Sequence, residues 1–131
     1  INNIFLSCIN IFFPEILPLS ISITLRSDTM PVTVTNQNFS RIIFSGPNPV
    51  LLYFSSPENE ISRRQDTILR LFAHEHPEIV IGRINTRKEP SLAAMYGIET
   101  IPSIKIFKNG KCTATAAGLQ DKPQISRLLI Q

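Results

Sequence analysis

The sequence predicts a single α/β domain whose central mixed sheet carries helices on both faces. Three observations lead there. Val50-Leu51-Leu52-Tyr53-Phe54 is an unbroken apolar run, the composition of a short strand buried on both sides, as sheets covered by helices require. From residue 32 onward, strand-like and helical stretches follow one another in the order β-α-β-α-β-α-β-β-α, which builds a sheet with crossover helices. Asn109-Gly110 joins the last two strands and is a strong hairpin signal, so antiparallel pairs must accompany the parallel ones.

Each element has a local reason. Val32-Thr33-Val34 is β-branched and alternating, a first strand. Thr35 or Asn36 is placed to cap a short helix through Phe39, Ile42 and Ile43, which Gly46-Pro47-Asn48-Pro49 ends. After the central strand, Ser56-Pro57-Glu58 offers a capping hydroxyl, a first-turn proline and an acid at the positive end of a helix dipole. Ile61, Ile68, Leu69 and Phe72 supply that helix with an apolar stripe as far as His76. Glu60 with Arg64 and Asp66 with Arg70 are acid-before-base pairs at helical spacing, expected on a solvated outer face.

Residues 79–85 read as a second central strand, and Ser91 to Tyr96 as a short helix closed by Gly97. Ile104 to Phe107 and Cys112 to Ala116 flank the hairpin turn. Asp121-Lys122-Pro123-Gln124 opens a final helix with a capping-box pattern, turning Ile125, Leu128 and Leu129 inward.

Size and composition narrow the function. A chain of 131 residues with 43% hydrophobic content suits one core. The net charge is +3, and from Met30 onward 12 basic and 8 acidic residues give +4. The bases are scattered apart from Arg63-Arg64 and Arg87-Lys88, which argues against a nucleic-acid partner. Cysteine occurs only at positions 8 and 112, too few for a disulfide framework or a metal cluster. Such usage suits a reducing compartment, and the cytoplasm is the expected location. Cys112, alone on a strand, is expected to be a small buried apolar residue. His74 and His76, two apart on a helix, point about 200° apart and share no ion. Ser62 lacks a histidine base, because His74 lies about 18 Å further along the same helix.

Residues 1–29 differ from the rest, being rich in Ile, Phe, Leu and Ser. The apolar run from Ile4 to Phe13 extends only about 15 Å as a helix, half of a bilayer core of about 30 Å, so no membrane span is expected. Pro14, Glu15 and Pro18 interrupt it, and no basic residue precedes Arg26. The expectation is an extraneous upstream segment with the domain occupying 30–131. The other reading is a degenerate targeting segment, which would place the domain in an organelle stroma.

Phe54 to Arg63 resembles the active-site turn of thioredoxins, Phe-Trp-Ala-Pro-Trp-Cys-Gly-Pro-Cys-Lys. Phe54 and Pro57 match, the two redox cysteines fall on Asn59 and Ser62, and the Gly-Pro between them on Glu60-Ile61. Asn85 and Pro90 match the family's Val-Asn-Val-Asp-x-x-Pro segment, and Leu92 to Ile98 its Leu-Ala-x-x-Tyr-Gly-Ile run. Thr100-Ile101-Pro102-Ser103 resembles the cis-proline loop, and Phe107 to Lys111 the hairpin after it. The resemblance covers residues 32–131 and implies the thioredoxin fold. It also implies that the family's buried aspartate falls on Tyr53, and that the loop before Pro102 pairs with an extended peptide.

Thiol–disulfide exchange needs a thiolate and a resolving thiol, and neither Asn59 nor Ser62 supplies one. Both are expected to satisfy backbone amides in the first turn of the helix. The sequence therefore points to a redox-inactive, thioredoxin-like module with no catalytic residue, metal or cofactor. Its partner is expected to be a protein or an extended peptide, bound over Ser56, Pro57, Glu58, Asn59, Ile101, Pro102 and Gly118. The alternative is an enzyme using glutathione or another thiol ligand, with Ser62 or Asn59 contacting the sulfur. A purely structural subunit is the third reading. The family label would attach cell redox homeostasis to the chain.

Overall fold

The computed structural model describes residues 31–131, and the upstream segment assigned above to residues 1–29 lies outside them. The described chain runs β1 (Val32–Thr33), α1 (Phe39–Ile43), β2 (Val50–Ser55), α2 (Glu60–Glu75), β3 (Val80–Asn85), α3 (Pro90–Met95), β4 (Ser103–Lys108), β5 (Lys111–Ala117) and α4 (Lys122–Leu129). The strands form one sheet in the order β1-β3-β2-β4-β5. β3 pairs parallel with β1 and β2, whereas β2–β4 and β4–β5 are antiparallel. This is the mixed sheet the sequence predicts.

β2 is buried along its whole length, which explains its lack of polar alternation. Leu51 and Tyr53 face a core closed by Leu69, Phe72 and Ala73 of α2 and by Ile125 and Leu128 of α4. Val50, Leu52 and Phe54 face a second core, with Phe39, Ile42 and Ile43 of α1 and Leu92 of α3. Helices therefore cover both faces, each buried Leu, Ile or Phe contributing about 1.5–3 kcal/mol. Gly82 permits β3 to lie between β1 and β2, since a Cβ there would come within 2.6 Å of Val34 and 2.7 Å of Leu52.

The hairpin turn takes the expected form, with Asn109 and Gly110 both at positive φ (54° and 79°). At α4, Asp121 accepts from the Gln124 backbone N–H at 3.0 Å and Gln124 Oε1 accepts from the Asp121 N–H at 2.8 Å, completing the capping box.

Four local expectations require correction. The short helix α1 follows Asn38, so neither Thr35 nor Asn36 caps it. The entry to α2 is capped by Asn59, not Ser56, because the helix starts at Glu60. Ile61 is 47% exposed and stands off the buried face, which instead carries Ser62, Gln65, Leu69, Phe72 and Ala73. Cys112 is exposed, because β5 is an edge strand that buries only Ala114 among its residues.

Candidate functional site

β2 ends at Ser55, and the next four residues turn the chain into α2. Hydrogen bonds from the residues singled out in the sequence close this turn. The Asn59 side chain accepts from the Ser62 backbone N–H at 2.8 Å, and the Asn59 N–H donates to the Ser56 carbonyl at 3.0 Å. Ser62, only 2% exposed, accepts through Oγ from the Ser56 N–H at 3.3 Å. Asn59 thus satisfies a first-turn amide that has no intrahelical acceptor, as expected, whereas Ser62 reaches back to an amide of the loop ahead of the helix rather than one in its first turn.

On the outer side of the turn, the Ser56 hydroxyl donates to the Glu58 carboxylate, and Arg87 stands 3.5 Å from that carboxylate. The hydroxyl first, then the Glu58 amide and the nearby guanidinium, hold the Glu58 carboxyl below its usual range. Arg63 donates to the Pro57 carbonyl at 2.7 Å and pins the first helical turn to the loop.

The second group of expected site residues sits at the same end of the sheet. Ser103 begins β4 opposite Phe54, so Ile101-Pro102 lies beyond the carboxyl end of β2. The Ile101–Pro102 peptide bond is cis. The Gly118 N–H donates to the Pro102 carbonyl at 2.8 Å, and Ser103 Oγ donates to the Thr100 carbonyl. The Ile101 backbone makes no hydrogen bond among the described residues. The fold thus gathers Ser56, Asn59 and Ser62 into one bonded turn and Pro102 and Gly118 into another.

Beneath the first turn lies a polar network that sequence reasoning missed. Tyr53, fully buried in mid-strand, donates its hydroxyl to Asp66 of α2. Asp66 also accepts from Arg70 at 2.7 Å and Arg83 at 3.2 Å. The pair expected on a solvated face therefore points partly inward, the Asp66 side chain being 23% exposed. The other pair, Glu60 with Arg64 at 3.5 Å, does stay in solvent.

Burial raises the Asp66 carboxyl, but the bonds from Tyr53 and Arg70 and the charges of Arg70 and Arg83 outweigh it and hold Asp66 below its ordinary range. Burial is also the first cause of the Tyr53 shift, which goes far above the ordinary phenol range, and the Asp66 hydrogen bond and charge add to it. The detectable signal was Arg83 and Asn85 recurring two apart in an otherwise apolar strand, on the face Tyr53 shares.

Among the described residues, no thiol belongs to this constellation. Cys112 pairs with Phe107, which in turn pairs with Val50 at the opposite end of β2 from the turn. It therefore sits roughly 13 Å along the hairpin from Ser103. Its Sγ lies 3.5 Å from the Ala114 carbonyl and 3.7 Å from Thr115 Oγ1. Among the described residues, no three His, Cys, Asp or Glu side chains cluster as metal ligands, and no helix is long and apolar enough to cross a membrane.

Comparison with known proteins gives a consistent result. The Thioredoxin family model matches residues 30–131. A thioredoxin of Porphyra purpurea is 32% identical over 97 residues, covering 73% of this chain and 91% of that protein. One from Chlamydia caviae is 30% identical over 102 residues, covering 78% and 98%. Among solved structures, a mutant thioredoxin from Halobacterium salinarum superposes with a TM-score of 0.72 at 18% identity, over 78% of this chain and 89% of that one, a likeness of fold. These relatives overturn the expectation of a redox-inactive binding module. Matched over nearly their whole length, they bear the name of an oxidoreductase. Reasoning from two substituted side chains gave too little weight to a scaffold kept across the entire domain.

Proposed function

The chain belongs to the thioredoxin family, and from that premise we propose that it performs thioredoxin-type oxidoreductase chemistry on the disulfides of protein substrates. One observation supports the reading above all. A helix amino end and a proline loop with an unused backbone edge stand at the same end of the sheet. The free N–H and carbonyl of Ile101 suit an extended peptide, and the positive end of α2 favours a sulfur that gains negative charge.

Because positions 59 and 62 offer an amide and a hydroxyl, the attacking thiolate comes from a reducing partner. Its sulfur bonds to one sulfur of the substrate disulfide, and the other leaves as a thiolate and takes a proton. A second thiol of the partner then displaces the first substrate sulfur. The substrate ends as a dithiol and the partner as a disulfide. The chain contributes the peptide edge at Ile101-Pro102 and the dipole of α2, with Ser56 to Asn59 and Gly118 framing the contact. The net charge of +4 from Met30 onward brings no nucleic acid into this reading, which belongs to a reducing compartment such as the cytoplasm or a stroma.

Insulin reduction by dithiothreitol tests it. The chain is expected to accelerate insulin precipitation above the rate with dithiothreitol alone, and a rate equal to that background refutes the proposal. The double variant Asn59→Cys/Ser62→Cys should raise the rate further, roughly a hundredfold, since a pre-positioned dithiol gains effective molarity.

A further inference from the structure

We propose that the cleft on the α2 side of the sheet is a binding site for a small phosphate monoester with a polar body, such as a phosphorylated sugar or polyol. The cleft has a volume of about 520 Å³, the scale of small-molecule sites. Its floor is the carboxyl end of three neighbouring strands. Alternation along β2 puts Ser55 on the face of Leu51 and Tyr53, while Arg83 and Asn85 come from β3 on the same face. Its roof is the first two turns of α2, through Ser62, Arg63 and Asp66. It lies across β2 from the Pro102 loop and shares only Ser56 and Pro57 with the frame of the peptide contact described above.

Charge selects an anion. Arg63, Arg83 and Lys88 line the cleft against one carboxylate, Asp66. That carboxylate is already bonded to Tyr53, Arg70 and Arg83, and Arg70 does not itself line the cleft. Lys88 makes no ion pair among the described residues.

Buried donors make the second, independent argument. Ser55 is 5% exposed and its hydroxyl has no protein partner among the described residues, although buried polar groups are ordinarily paired. Ser62 uses its oxygen to accept from Ser56, but its hydroxyl proton has no acceptor there. Arg63 spends one N–H on the Pro57 carbonyl. The N–H groups left on the two guanidinium forks, with two hydroxyl donors and an ammonium, still exceed what one carboxylate accepts, whereas the three terminal oxygens of a phosphate can take them. The lining holds no aromatic ring and no aliphatic side chain apart from Pro57, so a nucleobase has nothing to stack on and a hydroxylated body fits better.

The test reads binding alone and is independent of disulfide turnover. Inorganic phosphate and glycerol 3-phosphate are titrated separately into the full chain at low ionic strength, followed by amide NMR shifts. The expected result is saturable shifts at Ser55, Ser56, Ser62 and Lys88, with glycerol 3-phosphate the tighter of the two. Lys88→Met, a change at an exposed position, should weaken binding about tenfold by removing one charge-assisted contact. Ser55→Ala should weaken it as well, and Lys105→Met, on β4, should leave it unchanged. Absence of saturable shifts at millimolar ligand overturns the proposal. So does equal affinity in Lys88→Met, or an equal response to acetate.

Discussion

The two halves of α2 bury different chemistry. The carboxyl half puts Leu69, Phe72 and Ala73 into the core with Tyr53, Ile81 and Ile125. The amino half buries Ser62 and Gln65, at 2% and 0% exposure, and leaves Ile61 in solvent. Gln65 makes a reciprocal pair, accepting from the Gln120 N–H at 2.7 Å and donating to the Gln120 carbonyl at 3.0 Å. Apolar contact is non-directional, so the carboxyl half fixes how close the helix lies to the sheet. Hydrogen bonds are directional, so the amino half fixes the rotation of the helix and the shape of the turn at the site.

If that division is right, truncations in the two halves should differ in size and in kind. Phe72→Ala should be the most damaging, lowering stability in a urea titration by about 3–5 kcal/mol through the cavity it leaves. A loss below that of any polar substitution in the amino half would break the division. Gln65→Ala strips both bonds from the half-buried Gln120 backbone and should cost about 1–3 kcal/mol. Amide exchange at Gln120 should quicken with it, while amides around Leu128 keep their protection. Exchange that quickens evenly across the domain would show that Gln65 is ordinary core. Asn59→Ala removes the cap and should cost about 1 kcal/mol, seen as a lower midpoint with an unchanged slope.

The smallest effects are in pH dependence. The folded Asp66 carboxyl titrates below its unfolded value of about 3.9. Its stabilisation is therefore whole above that value and disappears as pH falls through the lower folded one. Tyr53 shifts the other way, so its share is whole below about pH 10 and is lost as pH rises above that. Asp66→Asn should flatten the acid limb of the stability curve, and Tyr53→Phe the alkaline limb. An acid limb unchanged in Asp66→Asn would place its origin outside this network.

Legibility in the sequence followed the same division. The hairpin at Asn109-Gly110, the Asp121 capping box and the apolar run of β2 are local signals, and the structure places each where the residues indicate. The amino half of α2 was misread because Ile61 is apolar and Ser62 is not, while the fold buries the latter. Periodicity ranks side chains by hydrophobicity, and it has no means of knowing that Ser62 will meet the Ser56 amide or that Gln65 will meet Gln120. The Asp66 network escaped for a related reason. A carboxylate four residues before Arg70 satisfies the surface-pair pattern whether or not Tyr53 and Arg83 wait beneath it.

By itself, the order of residues determined the sheet, its hairpin turn, the capping box of α4 and the family, because each depends on backbone preferences and on apolar runs only a few residues long. It also determined that no sulfur stands at positions 59 and 62. Tertiary structure alone decided which polar side chains were taken inside and joined. It brought Tyr53, Asp66 and Arg83 together from two strands and a helix, left Ser55 with a buried hydroxyl to spare, and carried Cys112 to the far end of the sheet. The reason is physical: a hydrogen bond or an ion pair needs both partners within about 3 Å, and only the folded chain sets distances between residues that lie far apart along it.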